Sequence, residues 1–140
     1  MQGNLVHFEI PTKDTSRAKR FYGSLFGWSF KDSGMPGIDY WLTGEEIKPG
    51  GAIMGTQEGP NHPIVYFETD DIDAFVRKVR DLGGTADDKG PVPGQGWFAG
   101  FKDPEGIAFS LWQNDPTVTV EQATQWREAQ QQKAGAEART

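Results

Sequence analysis

The 140-residue sequence contains no cysteine, only two histidines and no long apolar run. Without cysteine there is no disulfide and no thiolate metal site. No apolar stretch approaches the length a bilayer-spanning helix needs. The opening "MQGN" passes straight into "LVHFEI" with neither a basic nor an apolar leader, which predicts a soluble, cytoplasmic protein. Positive charge is scarce too: 14 Lys and Arg against 20 Asp and Glu leave a net charge of −6. That balance argues against nucleic acid or an anionic membrane as a partner and suits cationic small molecules.

Hydrophobic residues are only 36% of the chain, but 12% are aromatic, so large side chains must carry the core. Eighteen glycines and nine prolines favour many short elements joined by turns over long helices. The length suits one domain.

Two segments read as helices. Asp14 can cap the first, where Ala18, Phe21, Tyr22 and Leu25 fall at helical spacing before a stop at Gly27. Asp70 or Asp71 can cap the second, whose stripe is Ile72, Phe75, Val76, Val79 and Leu82, ended by Gly83-Gly84. Each helix follows a β-rich run, "LVHFEI" or "PIVYFET", and precedes three more candidate strands. These are Trp28 to Asp32, Asp39 to Thr43 and Gly51 to Gly55, then Thr85 to Asp87, Gly96 to Lys102 and Ile107 to Gln113. Strand-helix-strand-strand-strand thus occurs twice, at a period of roughly 57 residues, which places His7 over Ile64 and Glu9 over Tyr66. From Pro116 the composition turns to Gln, Ala, Glu and Thr. Val120, Ala123 and Trp126 give that tail a thin apolar stripe, with Trp126 as its anchor to the domain or to a dimer mate.

The segments "VHFEIPTKDTSRAKRFYGSLFGW", "VYFETDDIDAFVRKVRDLGG" and "FKDPEGIAFSLWQ", in this order, resemble the vicinal oxygen chelate superfamily of glyoxalases, extradiol dioxygenases, fosfomycin-resistance enzymes and bleomycin-binding proteins. The resemblance spans residues 4–113. It implies an α+β fold in which two βαβββ modules, 4–56 and 62–113, pair into a curved eight-stranded mixed sheet enclosing a cavity, with helices on the convex side. Residues 1–115 would form this domain and 116–140 a helical or frayed tail. Alternation agrees: Val6, Phe8 and Ile10 share one face of the first strand, and Leu5, His7 and Glu9 the other. In the fifth strand Val65 and Phe67 oppose Ile64, Tyr66 and Glu68. With the apolar sets beneath the helices, His7, Glu9, Tyr66 and Glu68 face the cavity. Ser110, with Ala108 and Trp112, is assigned there as well.

Metal-binding members of the superfamily place one ligand on the first and one on the last strand of each module. The matching positions here are His7 and Ile64 on the first strands, a fourth strand "GGAIMG" with no donor, and Ser110 on the eighth. Only His7 is a competent ligand, whereas stable zinc or iron sites need three or four. No cofactor is therefore expected. The alternative is a divalent metal at a degenerate site near His7, drawing on His62 and Glu9.

His7 and Glu9 lie two apart on one strand face, roughly 6.5–7 Å between Cα atoms, close enough to share a ligand or to act as an acid-base pair. They can equally be a self-satisfied polar contact in the cavity wall. Among the aromatics, Tyr66 and Trp112 are placed on the concave face, where stacking and acidic groups suit a planar or cationic ligand. "PVPGQGWFAGF" and "SGMPGIDY" read as glycine-rich loops flanking that face, the first as a flexible rim able to close over a ligand. The expected function is binding of a small aromatic or cationic molecule by a homodimer, through His7, Glu9, Tyr66, Ser110 and Trp112. The rival expectation is an enzyme of the same superfamily, of lyase or dioxygenase type, or metal-free with His7 and Glu9 as catalytic residues.

Overall fold

In a computed structural model describing residues 2–138, Asp14 caps α1 (Thr15–Phe26), its side chain accepting from the Arg17 N–H at 3.0 Å. The helix ends at Gly27, whose φ of 74° and N–H bond to the Gly23 carbonyl form a left-handed cap. Of the two candidates for the second cap, Asp71 takes the role. It accepts from the Ala74 N–H ahead of α2 (Ile72–Asp81), whose last turn carries Lys78 and Arg80 against the negative end of the helix dipole.

Strand, helix and then strands recur twice, as the sequence predicts. The described residues hold β1 (Leu5–Thr12), α1, β2 (Phe30–Asp32), β3 (Tyr40–Thr43) and β4 (Gly51–Gly55). They continue with β5 (Ile64–Glu68), α2, β6 (Thr85–Ala86), β7 (Gly90–Val92), β8 (Gly96–Lys102), β9 (Ala108–Asn114) and α3 (Val120–Ala138). This is an α+β chain of two βαβββ modules. The compact units divide inside β5, so that Leu5–Phe67 form one and Glu68 onward, with the first few residues, the other.

In the Leu5–Phe67 unit the strand order is β2-β3-β4-β1-β5. β1 runs parallel to β4 and antiparallel to β5, with Phe8 opposite Val65 and His7 opposite Tyr66. One face is covered by α1. Phe8 packs on Trp28, and Trp28 in turn on Tyr22 and Phe26 of the helix, with ring centroids 5.0–6.1 Å apart. No residue of α1 is itself buried; Phe21 and Leu25, expected in its stripe, remain 59% and 56% exposed because Trp28 fills the space beneath the helix. A bulge also interrupts the alternation: Leu5 and Val6 together oppose Phe67, so the period of two holds only from His7 onward.

In the second unit β8 pairs with β9 along its length, and the turn between them is built as its composition indicates. Asp103 Oδ1 accepts from the Glu105 and Ile107 N–H groups, while Gly106 takes a φ of 87°. α2 lies on the face carrying Ala99 and Leu111, where Ile72 and Val76 bury against them and Phe75, Ala86, Trp97 and Phe101 close the edges. Leu82, the expected end of the α2 stripe, is 70% exposed beyond the last turn.

The "PVPGQGWF" stretch, expected as a loop leading into a strand, folds as a hairpin: Gly90, Pro91 and Val92 pair with Phe98, Trp97 and Gly96, and the turn closes through Gln95 N–H to Val92 O at 3.0 Å. β6 and β7 lie end to end along β8, so two short strands stand where one was expected. The tail is ordered as α3, with Trp126 edge-on to Phe98 at 5.7 Å and Val118 and Ala123 buried. Trp126 thus anchors the tail to its own unit.

Candidate functional site

Glu9, the one acidic residue of β1, is only 7% exposed and lies on the face opposite α1. β4 places Ala52 beside it and β5 places Ile64, so its immediate strand neighbours offer no polar partner. Two phenols fill that role. Tyr66 donates to Oε1 at 2.6 Å and Tyr40 to Oε2 at 2.7 Å. Tyr66 comes from β5, directly opposite His7; Tyr40 comes from β3, two strands away, and reaches over β4, where Ala52 is the partner of Glu9 and Met54 that of Tyr40.

His7 completes the set. Its Nε2 lies 2.7 Å from Tyr40 Oη, its ring lies edge-on to Tyr66 with centroids 5.3 Å apart, and it is nearly parallel to the Tyr40 ring. His7, Tyr40, Glu9 and Tyr66 therefore form one continuous polar cluster on one sheet face. Among the described residues no Lys or Arg balances Glu9. Burial, opposed by the Tyr66 and Tyr40 hydrogen bonds, raises the Glu9 carboxyl above its ordinary value. Burial lowers the His7 imidazole. Tyr40 is held far above the usual phenol range by burial and by the Glu9 charge. Glutamate and histidine are thus drawn towards each other in proton affinity.

The expected residues separate by unit. His7, Glu9 and Tyr66 are brought together in the first unit. In the second, Ser110 is buried at 3% exposure, with its hydroxyl towards the Leu111 carbonyl, and Trp112 donates to Asn114 Oδ1 at 2.7 Å. Both sit on the β9 face opposite α2, as expected from alternation. Tyr40 was missing from the expected site. It adjoins Trp41, and two neighbouring aromatics on a strand must face opposite ways, but alternation does not say which faces which. Trp41 turns to the α1 side, where Lys19 Nζ sits 3.1 Å over its ring; Tyr40 takes the other.

The residues present do not fit a superfamily-type metal. His7 has Nε2 committed to Tyr40, Ile64 has no donor atom, both Glu9 oxygens accept from phenols, and His62 is exposed with Nδ1 bonded to the Pro63 carbonyl. Among the described residues no three His, Asp or Glu side chains converge. The shifted arrangement of His7, His62 and Glu9 is not formed.

The repeated strand-helix-strands module is the fold of a glyoxalase-like protein. Residues 4–111 match the Glyoxalase/Bleomycin resistance protein/Dioxygenase superfamily, and the chain belongs to it. A Mycobacterium tuberculosis protein named "Putative glyoxylase CFP32" is 36% identical over 126 residues, covering 80% of this chain and 46% of the relative. Anthracycline biosynthesis protein DnrV of Streptomyces peucetius is 32% identical over 126 residues, covering 75% of this chain and 45% of its own length. The chain spans less than half the length of these relatives. Among solved structures, methylmalonyl-CoA epimerase from Mycobacterium tuberculosis superposes with a TM-score of 0.61 at 17% identity, covering 81% of this chain and 89% of the epimerase. The likeness at that identity is one of fold. No helix among the described residues is long and apolar enough to cross a membrane.

Proposed function

We propose that the face formed by His7, Glu9, Tyr40 and Tyr66 is a small-molecule site, and that the protein binds an aromatic or cationic compound there without a metal. One observation carries this reading: Glu9 is a buried carboxylate with no cationic side chain beside it among the described residues. Keeping such a charge out of water is costly. Two phenols satisfy its hydrogen-bonding capacity and leave its negative potential uncompensated, an arrangement suited to a ligand that brings positive charge or a donor. The aromatic rings of Tyr40, Tyr66 and His7 offer a planar ligand surfaces to stack on. Relatives named for anthracycline biosynthesis are in keeping with an aromatic natural product. A cytoplasmic homodimer with no nucleic-acid or membrane partner belongs to the same proposal.

The hydrogen-bonded chain from His7 through Tyr40 to Glu9 favours a second reading, metal-free acid-base catalysis. An imidazole linked to a carboxyl of raised proton affinity is suited to taking a proton from a substrate. One experiment separates the two. Purified protein is titrated with aromatic cations by tryptophan fluorescence while the compound is followed by chromatography. Saturable binding with the compound intact supports the binding protein. Turnover abolished by His7→Ala overturns it in favour of the enzyme.

A further inference from the structure

Tyr40 has one hydroxyl proton, and it is given to Glu9 Oε2. At 2.7 Å from His7 Nε2, Tyr40 Oη must therefore accept, so Nε2 carries the hydrogen. In the neutral imidazole this leaves Nδ1 as the nitrogen with the lone pair. Nδ1 has no hydrogen-bond partner among the described residues. Every buried side-chain nitrogen or oxygen among them has one, so Nδ1 is open to solvent. A half-buried histidine here spends one nitrogen on a directed relay and shows the other to the outside.

We propose that Tyr40 is a positioning residue that locks His7 in the Nε2–H form, and that Nδ1 is the atom that meets the ligand, selecting molecules with an acidic O–H or N–H group. This rests on the small-molecule reading above and names the ligand chemistry of that site. The titratable groups on this face include His7 and Glu9 of β1, Tyr40 of β3 and Tyr66 of β5, with Lys31 of β2 farther out, opposite Leu42. β4 contributes none, and Lys19 of α1 is on the other side at Trp41. A ligand that only accepts hydrogen bonds would face a lone pair at Nδ1 and a carboxylate behind the phenols. A donor is complementary to that arrangement and a pure acceptor is not.

The test uses the whole protein labelled with nitrogen-15 in histidine, where only His7 and His62 contribute signals. At neutral pH, His7 should show a protonated Nε2 and an unprotonated Nδ1. Naphthol should shift the Nδ1 resonance, and its methyl ether, which cannot donate, should shift it at least tenfold less at equal concentration. Tyr40→Phe should let the Nδ1–H form appear and erase the preference for naphthol, whereas Trp41→Phe, on the opposite face of β3 beneath Lys19, should preserve both. A predominant Nδ1–H form in the unmodified protein overturns the relay, whether or not any compound binds and whether or not the variants fold. Equal shifts from naphthol and its ether, or none from either, overturn the ligand selection. The tautomer measurement needs no ligand, so its outcome is separate from that of the binding reading.

Discussion

Tyr40 and Glu9, 31 residues apart in sequence and two strands apart in the sheet, are joined by a 2.7 Å hydrogen bond across β4. The bond satisfies a carboxylate that β1 alone would leave buried without a partner. Removing its donor should therefore cost more than removing an exposed tyrosine. Tyr40→Phe and Tyr66→Phe are each expected to destabilise by about 1–3 kcal/mol, the range for orphaning a buried polar group. Urea denaturation at neutral pH measures this; a loss within about 0.5 kcal/mol for both would show that water replaces the phenols.

The same burial sets a pH dependence. His7 has its proton affinity lowered in the fold, so it contributes stability that is present above its unfolded value of about 6.5 and lost as pH falls through the folded one. Glu9 is raised, so its contribution is present below its unfolded value and lost as pH rises through the folded one. His7→Gln should remove the first dependence only. The stability of the unmodified protein relative to this variant should therefore shrink as pH is lowered from about 7.5 to about 5.5. A difference that is constant or grows on acidification contradicts the assignment.

Trp28 is the side chain through which α1 meets its sheet, touching Phe8, Tyr22, Phe26 and Phe30. Trp28→Ala should cost about 3–5 kcal/mol, whereas Phe21→Ala, on the exposed side of the same helix, should stay within about 1 kcal/mol. Comparable losses in the two variants would mean that α1 is held by its own surface and not through Trp28.

Much of this was legible in the sequence because it rests on local chemistry. Asp14, Gly27, Asp71 and Gly106 announce caps and a turn through side-chain length and permitted φ, which depend on nothing distant. Period-two alternation from His7 onward likewise puts Phe8 under α1 and His7 with Glu9 on the other face. Tyr40 was not legible, because its role depends on β3 lying two strands from β1 in a register that brings it to Glu9. Nor was β7: a glycine and a proline in three residues disguise a strand that pairs with β8 along one edge, as proline permits. The hydrophobic spacing of α1 also misled, since it records which residues are apolar and not that Trp28 lies between them and the sheet.

A superfamily-type metal is argued against by the donor set, and this has a direct measure. Protein purified without added metal should carry less than about 0.2 equivalents of zinc, nickel, iron or manganese, because His7 alone offers a suitable donor where three or four are required. Elemental analysis decides it. Near-stoichiometric metal that disappears in His7→Ala would end the metal-free proposal.

The charge on Glu9 gives the sharpest test of binding. N-methylacridinium and 9-methylanthracene are nearly identical in outline and differ in charge, so stacking contributes similarly to both. If Glu9 supplies the attraction for a cation, Glu9→Gln should weaken the acridinium about tenfold or more, the equivalent of about 1.4 kcal/mol, and leave the anthracene within about twofold. Glutamine keeps the size of the side chain, and its amide oxygen can still accept from one phenol, so the comparison isolates charge better than alanine would. Because the carboxylate is only 7% exposed, raising the salt concentration should narrow the gap between the two compounds only modestly. A large salt effect would place the cation at the acidic surface instead, where a net charge of −6 attracts it non-specifically. Equal weakening of both compounds would show that the substitution disturbs the packing of Tyr40 and Tyr66 and that the charge of Glu9 has no part in recognition.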